Sequence, residues 1–314
     1  MLDTDKSGLC LTNQPASWTA ALQPDACFVV GDTVIVASLK ATGSRPLVIV
    51  ARSQINVMGL LDVASHRMSG TEGAGSQPTD CKPFGRNPGN GQPNGGGGGG
   101  AGGSFMFPGA DGGTGDGVNH QGGQAPSSDV GAPTRLRGGC PGQPGNGGKP
   151  NDAGAGGGAV YLVSAGEISI SGKINASGAG GGGGDATDGG GGGGSGGTIV
   201  LYGSPVTTMA TTVLLANGGG GGGGGSTGPA KGVNGVDPGF GVPITAALGG
   251  GGGILNGGTG GDGGSGYAQS SNAGTGTSGD TGAGGGGGGG GGGYIQSNQD
   301  LAPAVLSPAT TIRP

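Results

Sequence analysis

The sequence predicts an all-β, irregular fold with essentially no α-helix, in which short strands in β-solenoid-like coils anchor a bundle of packed polyglycine II helices. Three observations lead there. Of 314 residues, 92 are glycine and 20 are proline. Short segments rich in Val, Ile and Leu recur as copies of one another. Uninterrupted glycine runs start and stop at fixed places relative to those copies.

Composition alone argues for disorder, because ordinary chains hold only about 7% glycine. The details argue otherwise. Only 10% of residues are charged and the net charge is -5, whereas disordered chains carry high net charge and few β-branched residues. Collagen is excluded, since glycine does not recur at every third residue. The thirteen Lys and Arg form no basic block, so no nucleic-acid partner is expected. No apolar stretch approaches the roughly 20 residues of a membrane helix.

The copies are the strongest pattern. Leu47–Ser65 aligns without a gap on Val160–Gly178, so that Leu47 matches Val160, Ile49 matches Leu162, Ile55 matches Ile168 and Leu61 matches Ile174. A third copy, Ile199–Gly218, carries about one inserted residue. Partial copies stand at Val34–Gly43 and from Tyr294 onward. Each full copy holds three short runs of alternating β-formers, which read as strands. Three strands in about 20 residues suit one coil of a parallel solenoid. The competing arrangement is an antiparallel meander that turns at Ala51–Gln54. The expected organisation is an N-terminal disulfide-tied β segment (1–44), a repeat domain (45–295) with copies at 45–66, 158–178 and 197–218, and a C-terminal tail (296–314).

Gly95–Gly100, Gly180–Gly184, Gly189–Gly194, Gly218–Gly225, Gly249–Gly253 and Gly284–Gly293 are uninterrupted glycine. Ordering glycine costs more than ordering any other residue, and no side chain is there to offset it. Backbone hydrogen bonds can, at about 0.5–1.5 kcal/mol each. An extended helix of three residues per turn points its N–H and C=O groups outward, so neighbouring copies can bond to one another. At about 3.1 Å per residue, Gly284–Gly293 would cross a whole domain.

The strings GGAVYLV (157–163), ISISGKINASGAGGGGG (168–184) and GGGGSGGTIVL (191–201) resemble glycine-rich secreted or lipid-anchored proteins of myxobacterial type. So do Arg45–Arg67 and Arg137–Gly142. The resemblance covers most of 27–295 and implies no assigned biochemistry. The glycine blocks are similar in architecture to the polyglycine sandwich of tail-fibre tip adhesins of T-even-type phages. That likeness implies loops facing a host receptor, and it transfers no functional residue.

Four cysteines, Cys10, Cys27, Cys81 and Cys140, allow three pairings. The local closures Cys10–Cys27 and Cys81–Cys140 are favoured, with four free thiols as the alternative. Oxidised cysteines place the protein outside the cell or on its surface. Its start lacks a leader's layout, so the expectation is that any signal or lipid anchor lies outside this chain.

Little chemistry is expected. His66 and His120 read as loop histidines. No Cys/His spacing fits zinc, and Asp111, Asp116, Asp185, Asp188 and Asp262 lack the regular spacing of calcium repeats. No catalytic residue, cofactor or metal is assigned. Phe105, Phe107, Phe240 and Tyr267 are candidate partner-facing loop residues, or else cover the ends of the glycine array. The expected function is a non-enzymatic extracellular structural or adhesive scaffold. Its partner would be a surface polysaccharide, a protein or a second copy of itself. Alternatives are a subunit of an extracellular fibre, an ice-binding protein using Thr207–Thr212, and a polysaccharide-active solenoid enzyme drawing on Arg52, Asp62 and Lys173.

Overall fold

The structure is a computed structural model that describes residues 1–314 except 77, 90–94, 117–119, 128–132, 150, 151, 255–258, 270 and 314. It is built on β-strands. Among the described residues one five-residue helix, α1 (Ala16–Ala20), is the sole α-helix. Among the described residues the strands form two curled sheets of six and eight members, and every strand pair is parallel.

Each copy supplies one strand to each of three rows. The second copy is the clearest, with β6 (Ala159–Ser164), β7 (Glu167–Ile170) and β8 (Lys173–Asn175). In the first copy β4 (Leu47–Val57) runs through two rows, pairing with β6 by its first half and β7 by its second, and β5 (Leu60–Asp62) lies beside β8. The third copy gives β9 (Thr198–Tyr202), β10 (Val206–Thr208) and β11 (Val213–Leu215). β2 (Cys27–Val36) and β3 (Leu39–Thr42) precede the first copy, and β1 (Leu2–Asp3) flanks β3. β12 (Tyr294–Ser297), β13 (Val305–Ser307) and β14 (Thr311–Ile312) follow the last glycine run. The sheets therefore continue across 44/45 and 295/296, since β2 pairs with β4, β13 with β11 and β14 with β12.

The sequence alignment is also the hydrogen-bond register: Leu47 pairs with Val160, Ile49 with Leu162, Ile55 with Ile168 and Leu61 with Ile174. Parallel pairing excludes a hairpin at Ala51–Gln54. Like residues stack in columns, such as Ile55–Ile168–Val206 and Leu61–Ile174–Leu214–Leu306. Alternate residues of the strands point inward and form the main core, with Leu47, Ile49, Ile55, Leu61, Leu162, Ile168 and Ile174 fully buried. Burying each such side chain contributes about 1.5–3 kcal/mol.

All three long excursions (63–158, 176–197 and 216–293) leave after a strand of the β5–β8–β11 row and return to the β6–β9–β12 row. They carry the glycine runs. From 189 to 197, successive N–H groups donate to three different segments in strict rotation. Gly189, Gly190 and Gly191 bond to Asn146, Gly285 and Gly182; Gly192, Gly193 and Gly194 bond to Gln143, Gly288 and Ala179. Ser195, Gly196 and Gly197 then reach Cys140, Gly291 and Ala176. These bonds measure 2.7–3.0 Å. Three segments also form closed cycles: Gly100 donates to Gly190, Gly190 to Gly285, and both Gly285 and Gly288 return to the first segment at Gly97 and Gly100.

This closeness excludes side chains. A Cβ added at Gly193 would land on the carbonyl oxygen of Gly219, and one at Gly221 on that of Gly287. Gly239, by contrast, has open space. Both expected disulfides are present, Cys10–Cys27 and Cys81–Cys140, spanning 17 and 59 residues. Chain-entropy reasoning assigns them about 3 and about 4 kcal/mol.

Two stability predictions follow from this packing. Gly193→Ala destabilises the protein by about 3 kcal/mol or more, whereas Gly239→Ala is neutral within about 1 kcal/mol; urea unfolding of the two variants checks the contrast. Ile174→Ala, in the middle of a buried column, costs about 2–5 kcal/mol in the same assay.

Candidate functional site

A cavity of about 540 Å³ opens where β5 ends and the excursions meet. His66 and Arg67 line one side and Pro141, Pro144, Ala153 and Ala155 the other. The chain makes a turn here: His66 N–H bonds to the Thr71 carbonyl at 2.8 Å, and the buried Ser65 hydroxyl holds Gly73 N–H at 2.9 Å and the Gly156 carbonyl.

His66 sits between two carboxylates. Its Nε2 is 2.9 Å from Asp62, four residues earlier, and its Nδ1 is 3.8 Å from Asp237. Asp237 and Asp62 raise its pKa to about 9, against partial burial and the nearby positive Lys40. Arg67 lies 3.6 Å from Asp152, and its backbone N–H bonds to Asp237 at 2.9 Å. Asp237 also accepts the N–H of Gly180 at 2.8 Å. The cluster thus ties the end of β5 to the glycine segments around 152, 180 and 237. Chemically it is an imidazolium held in an ionic knot. A general base needs a pKa near the working pH, and this ring stays protonated well above neutrality.

His66 was expected to face solvent from a loop. Half-buried and double-bridged, it does not. Asp62 at spacing i,i+4 was visible in the sequence; Asp237 and Asp152 carried no signal, because only the folding of the excursions brings them to His66. His120 is buried against Gly95 rather than lying in a solvated loop.

The aspartates of the glycine-rich turns act as terminal acceptors. Asp111 accepts from Ala125 N–H at 2.8 Å, Asp116 from Gly282 at 2.6 Å and Asp262 from Gly252 at 2.8 Å. Asp185 pairs with Lys231 and Lys149, which lower its pKa, Lys231 foremost. Asp188 is pushed up by burial and by Asp185 and Asp152 beside it.

Phe105 and Tyr267, expected among the partner-facing residues, are buried at 1% and 3% exposure. Phe105 lies under Arg137, whose guanidinium is 4.8 Å from its ring centroid and also donates to the Cys140 sulfur at 2.9 Å. Phe107 stacks on Tyr267 at 4.5 Å, and both rings pack against Gly292, where a Cβ would strike them. Phe240 is half-buried beneath Lys173 and packs with Val213, Leu215 and Ile244. With only 3% aromatic residues, the chain uses these rings to cover glycine segments and sheet faces, which have no side chains to cover themselves.

Several side chains in the segments named for the other functions have partners within the chain. In Thr207–Thr212, Thr212 is buried and bonds to the Ile170 carbonyl, while Thr208 bonds to the Leu301 carbonyl and Thr207 to Glu167. Arg52 pairs with Asp32 at 2.8 Å, Lys173 lies over Phe240 and Asp62 serves His66.

No family model matches this chain, and no curated protein or solved structure matches it.

His66 binds its proton more tightly in the folded chain than at its ordinary value of 6.5. Its contribution is therefore complete below about pH 6.5 and lost as pH rises through about 9. Stability measured by urea unfolding should fall across that window, by up to about 3 kcal/mol from this group. His66→Gln should flatten that part of the profile; an unchanged slope in the variant would refute the knot.

Proposed function

We propose that this chain is a non-enzymatic extracellular scaffold, in which a β-solenoid holds packed polyglycine II helices rigid so that their outer face adheres to a surface partner. One observation carries the reading: consecutive residues 189–197 bond to three neighbouring segments in rotation, the pattern expected of a three-residue-per-turn helix inside a bundle. Such an interior has no side chains with which to perform chemistry. It is suited to holding shape.

The outer face supports the adhesive part. Val233 and Val236 lie on one glycine-rich segment and Leu248 and Ile254 on its neighbour, and the two segments are joined by Val236 N–H to the Leu248 carbonyl at 2.9 Å. All four side chains are half or more exposed, at 49–78%, and a rigid exposed apolar row is a hallmark of contact surfaces. The two disulfides, with no free cysteine among the described residues, fit an oxidising compartment. The resemblance to glycine-rich secreted proteins and to tail-fibre tip adhesins agrees with this reading.

The fibre reading is favoured by β2. It pairs along one edge with β4, and its other edge takes a bond from Leu11 N–H to the Phe28 carbonyl. Beyond that bond no strand among the described residues pairs with this edge, and an unpaired strand edge can receive a second chain.

Hydrogen exchange tests the core of the proposal. The amides of Gly218–Gly225 and Gly284–Gly293 should exchange at least about a thousandfold slower than an unstructured chain, which corresponds to an opening free energy of about 4 kcal/mol. Free exchange through both runs would sink the packed-helix reading. Leu248→Ser with Ile254→Ser should then weaken adsorption to surfaces while leaving exchange protection intact.

A further inference from the structure

A second cavity, a cleft of about 340 Å³, lies apart from the His66 knot and shares no lining residue with it. Its floor is the outer surface of three adjacent parallel strands. Tyr161 on β6, Val200 on β9 and Gln296 on β12 stand side by side in register, a row about 10 Å wide at normal strand spacing. One wall is the helical segment with Ser17, Trp18 and Gln23, and the other is the strap Pro133–Leu136.

The walls are held in place before any ligand arrives. The Gln23 side chain accepts Leu136 N–H at 2.8 Å and donates to the Thr134 carbonyl at 3.2 Å, fixing the strap to the helical segment. Trp18 Nε1–H bonds to the Pro24 carbonyl at 2.7 Å, and its ring meets Phe28 edge to face at 5.1 Å. Thr198 in the floor bonds to the Arg137 carbonyl at 2.7 Å. The Cys10–Cys27 disulfide anchors the segment from which the helix springs. A site built this way loses little freedom on binding.

The chemistry of the lining is specific. Trp18 and Tyr161 are partly buried side chains of the lining, while Tyr294 lies buried in the floor with its hydroxyl 3.3 Å from Gln296. Among the described residues no carboxylate lines the cleft. Arg135 is exposed at the rim and, among the described residues, forms no ion pair, although the chain as a whole is acidic. Among the described residues the Tyr161 hydroxyl also has no hydrogen-bond partner; burial and neighbouring Tyr202 push its pKa up, so it remains a donor at neutral pH. Aromatic faces suit the C–H faces of sugar rings, and spare donors suit hydroxyls. An unpaired guanidinium suits a carboxylate.

We infer that this cleft is a binding site for an acidic glycan, with a sugar ring seated on Tyr161 and Trp18 and its carboxylate on Arg135. The inference rests on the adhesive reading and names a partner for it. It replaces the four aromatic residues expected from the sequence by a different set.

Trp18 is the only tryptophan of the chain, so its fluorescence reports on the cleft directly. The intact protein is titrated with tetragalacturonate and, as the neutral counterpart, with cellotetraose. A saturable change with tetragalacturonate is expected, with cellotetraose at least tenfold weaker. Arg135→Gln should raise the tetragalacturonate Kd about tenfold and abolish the preference over cellotetraose. Tyr161→Ala should weaken both ligands about tenfold. Arg135 makes no contact that folding needs, so its variant should unfold at the wild-type temperature. No saturable signal with either sugar, or variants that bind as wild type, overturns the cleft. Equal affinity for the two sugars overturns the acidic assignment. The wider scaffold reading is judged separately, by exchange protection of the glycine runs, and stands or falls whatever the titration shows.

Discussion

A backbone N–H reaching the carbonyl of a neighbouring glycine segment is the interaction on which the rest of this protein depends. Each such bond contributes little net free energy, and each ordered glycine loses more conformational freedom than any other residue. The balance closes only if nearly every group is satisfied. The rotation of donors along 189–197, from Asn146 to Gly285 to Gly182 and round again, is how that is achieved. It requires a side-chain-free surface on all sides, which is why a Cβ at Gly193 or Gly221 has no room.

The same requirement explains where the remaining side chains are spent. At the margins of the array no neighbouring carbonyl is left for some N–H groups, and Asp111, Asp116, Asp237 and Asp262 supply carboxylate oxygens there. At Gly292 the rings of Phe107 and Tyr267 cover the glycine segment, filling the space a side chain there would take. His66 and Arg67 then draw Asp62, Asp152 and Asp237 into one ionic cluster that joins the array to the end of β5. These polar groups serve the architecture.

The sheets supply what glycine cannot, which is hydrophobic burial and register. Columns of Ile, Leu and Val on parallel strands fix the copies at a constant spacing. Each excursion leaves and rejoins the same pair of rows, so its glycine run starts at a defined height in the stack. The outer face of those strands remains available, and the cleft between α1, the 133–136 strap and Tyr161 is built on it.

The sequence by itself determined the strand copies and the gapless register of the first two, and favoured the two local disulfides among three possible pairings that the structure then decided. Parallel pairing places like residue beside like, so a self-alignment of Leu47–Val63 with Val160–Ala176 already states which backbone groups meet. It also determined that glycine must be ordered by backbone bonds, if it is ordered at all. Which glycine run lies beside which was not legible. A run has no side-chain pattern, so Gly190 carries no mark of its partner Gly285, and Asp237 none of His66, 171 positions away. Those neighbours, the burial of Phe105 and Tyr267, and the cleft around Trp18 were decided only by the tertiary structure. The strands hold the ends of each excursion in space, and the close approach of chains without side chains does the rest.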